Sequence, residues 1–322
     1  MPFKLLFLPP LTDIHRFWVD RLRAEIPGLE VVVAESDPAA DAAIIDADGA
    51  VGTLTPARLA RATRLRWLQS HQAAPPAGYY FPELAAHPLV VTNMREIFND
   101  HIGAHVMAYV LAFARGLHEY LPLQARAEWR PRPLDTGVIH LPEATMLIVG
   151  LGGIGAETAR LAKAFGMTVL ATDARRTDVP PGVDELHPAA ALDDLLPRAD
   201  FVVLTVPHTP ATEGFFNRAR FQRMRRNAIF INIGRGMTTR LEDLADALQE
   251  DELAGAALDV FETEPLPQDH PLWRMPNVLI TPHTAGYGPY LDERRYAIIR
   301  DNACALLGNG RMRNVVDKTS WF

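Results

Sequence analysis

The chain has 322 residues, 48% of them hydrophobic, which suits a soluble globular protein long enough for two domains. Its formal net charge of −7 argues against a nucleic-acid or anionic-membrane surface, since either needs a basic face. The single cysteine, Cys304, excludes an intrachain disulfide, and no metal site is expected.

The first hundred residues alternate apolar runs with polar, helix-like segments. "KLLFL" (4–8) is cut short by Pro9 and Pro10, and no small-residue cleavage site follows. It is therefore read as a strand and not as a targeting segment, and the expected compartment is the cytoplasm. From Thr12 to Glu25 a capping residue precedes helical spacing through Ile14, Phe17, Trp18 and Leu22. "LEVVV" (29–33), "GAVGTL" (49–54), "LRWLQ" (65–69) and "LVVTN" (89–93) are predicted strands. Short runs between helices predict parallel β-α units. A long helix is predicted over 99–120, with Ile102, Val106, Tyr109, Val110, Phe113 and Leu117 on one stripe. It leads into "LPLQARAEWRPRPLDTG" (121–137), an irregular proline-rich connection read as a domain border.

A second α/β series follows. "TMLIVG" (145–150), "MTVLATD" (167–173), "FVVLTVP" (201–207), "AIFINIG" (228–234), "GAALDV" (255–260) and "NVLITPH" (277–283) are nearly all apolar, as strands covered on both faces should be. Helices are predicted at 154–165 and 239–250, and a last one at 288–307. Within that last helix, in "NACALL", Cys304 reads as a small core residue.

The strongest chemical signal is "GLGGIG". Gly150, Gly152 and Gly155 form G-x-G-x-x-G after a strand and at the mouth of a helix, with Gly153 and Ile154 inside the turn. Asp173 ends the next strand. The glycines permit a tight turn, approach of a pyrophosphate and close helix–strand packing, and the helix N-terminus offers N–H groups to phosphates. Asp173 can accept from both ribose hydroxyls, which selects NAD over NADP. Arg175 and Arg176 suit either a 2′-phosphate or a solvated turn. The only lysines, Lys4, Lys163 and Lys318, lie in no glycine-rich or cleft-like setting, so Schiff-base chemistry has no candidate. No G-x-x-x-x-G-K-[ST] loop occurs either.

"INIGRGM" (231–237) strands Arg235 between Gly234 and Gly236 at the end of an apolar strand, which is costly unless the arginine holds an anion. The flanking glycines suggest that something approaches the backbone closely. Asp259, Glu264 and His283 also sit at or just beyond strand ends, where a doubly wound sheet binds its ligands. Arg235 suits a substrate carboxylate, His283 a proton donor and Glu264 an orienting partner, the parts needed to reduce a 2-keto acid.

These motifs, "GLGGIG", "INIGRG", "GAALDVFETEPLP" and "NVLITPHTAG" in that order, resemble the D-isomer-specific 2-hydroxyacid dehydrogenase family. The resemblance implies an α/β fold of two Rossmann-like domains. A doubly wound, parallel-sheet NAD-binding domain (99–286) is inserted in a discontinuous, flavodoxin-like substrate domain (1–98 and 287–322). It implies Arg235, Glu264 and His283 as the catalytic trio. Asp259 is placed near the nicotinamide carboxamide, and Ile233 and Gly234 touch the cofactor through their backbone. Pro207 and Gly286 join the cofactor set, and the family usually pairs as homodimers through the cofactor domain. The implied activity interconverts a small 2-keto acid and a D-2-hydroxy acid, glyoxylate and hydroxypyruvate being the generic substrates.

Two stretches depart from the family pattern. The glycine-containing loop that binds the substrate carboxylate reads "SHQAAPPAG" here. Ala73 and Ala74 keep their N–H groups, but Pro75 restricts Ala74 and neither proline donates. In "TNMREIFNDHIGAH", Met94 and Arg95 replace small residues and Ala104 stands where a Glu is usual. Met94 and Arg95 either narrow or charge the substrate cleft, or Arg95 faces water. Alternative readings are a cofactor-sensing, corepressor-like binding protein and a formate- or phosphite-type dehydrogenase of the same fold.

Overall fold

A computed structural model describes residues 3–73, 78–133, 137–308 and 310–319. The chain divides into two units, Met1–Ile97 with Pro289–Phe322, and Phe98–Gly288.

The first unit runs β1 (Phe3–Phe7), α1 (Asp13–Glu25), β2 (Leu29–Val33), α2 (Asp37–Ala43), β3 (Gly49–Val51), α3 (Pro56–Arg61), β4 (Trp67–Gln69), α4 (Pro82–Ala86) and β5 (Val90–Thr92). The strands form one parallel sheet in the order β2-β1-β3-β4-β5. Leu6, Ala50, Leu68 and Val91 enter one core cluster. Their strand neighbours Leu5, Phe7 and Trp67 are fully buried as well. Helices therefore cover both faces, and alternation is lost from the sequence.

In the second unit, α5 (Asn99–Ala114) and α6 (Leu117–Ala125) replace the single helix predicted over 99–120. Gly116 takes the left-handed conformation (φ 69°) and breaks it. The proline-rich stretch read as a border lies inside this unit, and α6 includes its Pro122. There follow β6 (Thr145–Val149), α7 (Gly153–Ala164), β7 (Thr168–Asp173), β8 (Glu185–Pro188), α8 (Leu192–Leu195), β9 (Phe201–Leu204), α9 (Arg218–Phe221), β10 (Ile229–Asn232), α10 (Leu241–Gln249), β11 (Gly255–Leu258) and β12 (Val278–Ile280). The seven parallel strands order β8-β7-β6-β9-β10-β11-β12, a doubly wound sheet with its reversal between β6 and β9. Leu147, Val149, Leu204 and Phe230 pack on one face, and Met146, Ile148, Val203 and Ile231 on the other. Phe230 meets Phe216 at 4.9 Å and Phe221 at 5.3 Å between ring centroids. Truncating Phe230 to Ala costs about 3–5 kcal/mol by the usual cost of a large core cavity.

The last helix, α11 (Leu291–Leu307), returns to the first unit. Arg21 of α1 pairs with Glu293 at 2.7 Å and lies 3.8 Å from the Tyr296 ring centroid. Cys304 is exposed, contrary to the core reading. α11 buries Tyr296, Ile299 and Ala303, and the next position turns toward solvent.

Candidate active site

β6 turns through Gly150 (φ 97°) into the N-terminus of α7. A Cβ on Gly150 would sit 2.9 Å from Val206 Cγ1, and one on Gly155 would run into the Gly150 carbonyl. One on Gly153 would meet Asn99 Nδ2 at 2.5 Å, whereas Gly152 faces open space with nothing within 4 Å. Ile154 packs partly buried against the core. An open face over a helix N-terminus fits a dinucleotide's pyrophosphate.

Asp173 ends β7. Its Oδ2 accepts from the Leu151 amide at 2.7 Å, and its Oδ1 from the amides of Arg175 and Arg176 at 2.8 Å each. Burial raises the carboxyl pKa, but these amides outweigh it and hold the group below its ordinary value. Three of the carboxylate's roughly four acceptor positions are thus taken by backbone amides, two of them from the loop after β7, which folds back onto it. Arg176 donates to Asp178 at 2.8 Å and to the Leu151 carbonyl at 3.2 Å, while Arg175 is exposed.

At the carboxyl edge of β10, Ile233 is buried and the Gly234 amide donates to Asn232 Oδ1 at 3.0 Å. A Cβ on Gly234 would lie 2.7 Å from the Val206 carbonyl, and one on Gly236 would run into the backbone of Phe261. The close approach that these glycines permit is that of the protein's own neighbouring loops. Arg235 between them is half-buried, and its side chain donates from Nη1 to the Gly234 carbonyl at 2.7 Å. Burial lowers its pKa and the Glu264 carboxylate opposes that shift. A guanidinium so placed calls for an anion.

Glu264 and His283 meet directly, Oε2 to Nδ1 at 2.7 Å. The other oxygen, Oε1, accepts from the Phe261 amide at 3.0 Å, so the carboxylate is fixed from both sides. His283 has φ 55°, and its amide donates to the Asp259 carbonyl at 2.8 Å. Asp259 itself is 2% exposed and held from inside: Oδ1 accepts from Thr281 Oγ1 (2.5 Å) and the Thr284 amide (2.8 Å), and Oδ2 from the Ala285 amide (2.9 Å). It acts as the clamp of the loop that presents His283. Pro207 is exposed beyond β9, its carbonyl accepting from Thr212, and Gly286 lies near Phe98, 3.4 Å from a Cβ placed on it.

Sequence reasoning missed two supports. Asn232, fully buried, donates from Nδ2 to the Arg235 carbonyl (3.2 Å) and Thr239 Oγ1 (2.9 Å), fixing the turn that carries Arg235. Its signal was an amide inside the apolar run "IFINIG". His105 and Tyr109 of α5 reach Thr281 Oγ1 at 3.0 and 2.5 Å, extending the Asp259 network; Tyr109 read only as part of the apolar stripe, which did not include His105.

In the first unit, the loop after β4 is braced from β5. Asn93 Nδ2 donates to the Ala73 carbonyl at 2.9 Å, and the Met94 amide to the Gln72 carbonyl at 3.2 Å. Among the described residues the Ala73 N–H has no hydrogen-bond partner. Ala74, Pro75 and Pro76 lie outside the described residues. Met94 is fully buried within this unit, and Arg95 Nη2 donates to the Val315 carbonyl at 3.1 Å. Arg95 thus ties down the C-terminal segment, a role that neither reading of it anticipated.

Residues 107–285 match the family model described as D-isomer specific 2-hydroxyacid dehydrogenase, NAD binding domain. The chain belongs to the D-isomer-specific 2-hydroxyacid dehydrogenase family. Among curated proteins, this dehydrogenase is 34% identical to glyoxylate/hydroxypyruvate reductase B of Citrobacter koseri, over 91% of the present chain and 89% of that protein. Among solved structures, an NADPH-dependent glyoxylate/hydroxypyruvate reductase from Sinorhizobium meliloti, in complex with NADP and sulfate, shares 29% identity. Its TM-score is 0.81, over 99% of this chain and 100% of that one. A D-isomer specific 2-hydroxyacid dehydrogenase from Xanthobacter autotrophicus Py2, in complex with NADPH and MES, gives 0.84 at 28% identity over 100% of both chains. The dehydrogenase is thus an oxidoreductase that moves a hydride between a nicotinamide dinucleotide and a 2-keto or 2-hydroxy acid. Among the described residues no helix is long and apolar enough to cross a membrane.

Proposed function

We propose that this dehydrogenase is a cytoplasmic, homodimeric reductase of small 2-keto acids, glyoxylate and hydroxypyruvate among them, that makes D-2-hydroxy acids with NADH in preference to NADPH. The observation that carries the reading is the 2.7 Å pair of His283 and Glu264 on the sheet edge that also bears the half-buried Arg235 guanidinium. Arg235 grips the substrate carboxylate with its planar fork. Glu264 accepts from Nδ1–H of His283, leaving Nε2 to hand its proton to the carbonyl oxygen. When bound, the dinucleotide supplies the hydride to the carbonyl carbon. Gly150, Gly152 and the first turn of α7 hold its pyrophosphate. Ile233, Gly234, Pro207, Asp259 and Gly286 line its nicotinamide end. The first unit serves as the substrate domain and the second as the NAD-binding domain.

The ionised Asp173 supports the NADH preference. A 2′-phosphate about 4 Å from it would be repelled by roughly 4 kcal/mol at an effective dielectric near 20. Pairing of two copies through the second unit is supported by Leu121 on α6 and Trp129 just beyond it, 58% and 95% exposed. There a cavity of about 560 Å³ lined by Tyr120, Leu123 and Trp129 itself can receive the same ring from a second copy. Initial rates with a panel of 2-keto acids and both reduced cofactors, with chiral analysis of the product, test the reading. Turnover to the D-isomer is expected. No turnover with any 2-keto acid, or an L-product, contradicts it.

A further inference from the structure

Behind His283, three successive backbone N–H groups converge on one residue of the second unit. The His283 amide donates to the Asp259 carbonyl at 2.8 Å, and those of Thr284 and Ala285 to its carboxylate at 2.8 and 2.9 Å. They hold His283 at φ 55°, a left-handed conformation that a histidine keeps only where its surroundings over-determine it. Glu264 orients the exposed ring; Asp259 fixes the backbone beneath it. Where the imidazole stands therefore depends on how the buried Asp259 side chain is turned.

What turns Asp259 is a relay that ends on α5. Thr281 Oγ1 donates to Asp259 Oδ1 at 2.5 Å, which commits its single proton. Its contacts with the Tyr109 hydroxyl at 2.5 Å and His105 Nε2 at 3.0 Å must then be made by protons from α5. The Tyr109 proton has a second, longer acceptor in the Leu258 carbonyl at 3.3 Å. His105 carries its proton on Nε2, the tautomer that these partners fix. Burial lowers its pKa and the Asp259 carboxylate opposes that shift. The two rings stand edge to face with centroids 4.7 Å apart. The rest of the segment follows the same helix. A Cβ on Gly286 would lie 3.4 Å from Phe98, and one on Gly288 would run into the His101 ring.

We propose that Tyr109, acting through Thr281, is a positioning residue for the proton donor. By donating into Thr281, with His105 as the second donor, it keeps the Thr281 proton on Asp259. Through Asp259 it holds the turn that presents His283. This rests on the reading above, in which His283 delivers the proton, and it names what holds that group in place. Without the Tyr109 proton, Thr281 is free to turn its own toward the Leu258 carbonyl, and Asp259 Oδ1 loses a donor. Members of such a directed network support one another, so a loss at Tyr109 is felt at its far end.

The test measures kcat, KM and the Kd of NADH, using glyoxylate or hydroxypyruvate, whichever the wild type reduces faster. Four variants are compared below their Tm: Tyr109→Phe, Thr281→Ser, Thr281→Val and the double variant Tyr109→Phe/Thr281→Val. Tyr109→Phe keeps the ring and should lower kcat about 3–10-fold, with KM and Kd within about twofold of wild type. Thr281→Val should lower kcat about 10–100-fold, and Thr281→Ser, which keeps the hydroxyl, should stay within about threefold of wild type. Because Tyr109 acts through Thr281, the double variant should match Thr281→Val within about twofold. A wild-type kcat in Tyr109→Phe overturns the inference. So do a Thr281→Ser enzyme as slow as Thr281→Val, losses that multiply in the double variant, or a loss carried by weaker NADH binding. Should Thr281→Val fail to fold, Tyr109→Phe and Thr281→Ser decide by themselves. His283→Ala, measured alongside, separates the two failures. A normal kcat there overturns the underlying reading, whereas a disabled His283→Ala beside a wild-type Tyr109→Phe overturns the inference alone.

Discussion

The two parallel sheets end in opposite ways. In the second unit, the loops at the carboxyl edge are locked by buried polar hubs: Asn232 fixes the turn of Arg235, and Asp259 fixes the loop of His283. Glycines 234 and 236 are walled in by neighbouring backbone. In the first unit, the loop after β4 is braced through Asn93 and Met94, but among the described residues the Ala73 N–H and the nitrogens of His71 have no hydrogen-bond partner. On the proposed mechanism the loops of the second unit hold the groups that act on the reacting atoms, where small displacements are costly.

The large expected effects lie on the locked side. Arg235→Lys keeps the charge and loses the fork, so kcat/KM toward keto acids should fall by about 10²–10³, roughly 3–4 kcal/mol. A Lys variant with wild-type kcat/KM would make Arg235 a structural residue. Asn232→Ala should cost about 2–3 kcal/mol of stability in urea unfolding, because the buried Gly234 amide and Thr239 hydroxyl lose their partner. It should also lower kcat without touching substrate. A loss below about 0.5 kcal/mol would mean the turn holds itself.

On the open side, burial pushes His71 down to about 4 in the folded chain from an ordinary 6.5. Between those values the unfolded chain binds more protons, so stability is full above about pH 6.5 and falls as the pH drops toward 4. Between about pH 7 and pH 5 this amounts to about 2 kcal/mol, at roughly 1.4 kcal/mol per pKa unit. His71→Gln should remove that part of the decline in Tm, and a variant with the wild-type pH slope would show that the ring is not buried neutral. The smallest effect is cofactor choice, about tenfold for NADH over NADPH. Asp173→Ala should narrow that ratio while raising KM for both cofactors, because Asp173 also anchors three backbone amides. A wild type that prefers NADPH would show that the arginines outweigh the carboxylate.

How much of this was legible in the sequence follows from what each residue answers to. The six strands of the second series read as apolar runs because both faces are covered. β8 was missed because "ELHP", at the sheet edge, is half-exposed and carries no such run. The break at Gly116 depends on one left-handed residue inside an otherwise continuous stripe. Glycine spacing and strand-end polar residues announced Gly150, Asp173, Arg235 and His283. They gave no sign that Asp173 and Asp259 are largely consumed by backbone amides, which is decided by loop geometry. Cys304 was misread because apolar neighbours in sequence lie around the helix from it, not beside it.

The central claim, that His283 delivers the proton, is tested most directly in the His283→Ala enzyme by measuring kcat for a keto acid together with the Kd for NADH from a fluorescence titration. The account predicts a kcat about 10²–10⁴-fold lower with Kd within about threefold of wild type, since Glu264 and the glycine turn do not depend on the imidazole. A near-normal kcat, or a loss of activity explained wholly by weaker NADH binding, would contradict it.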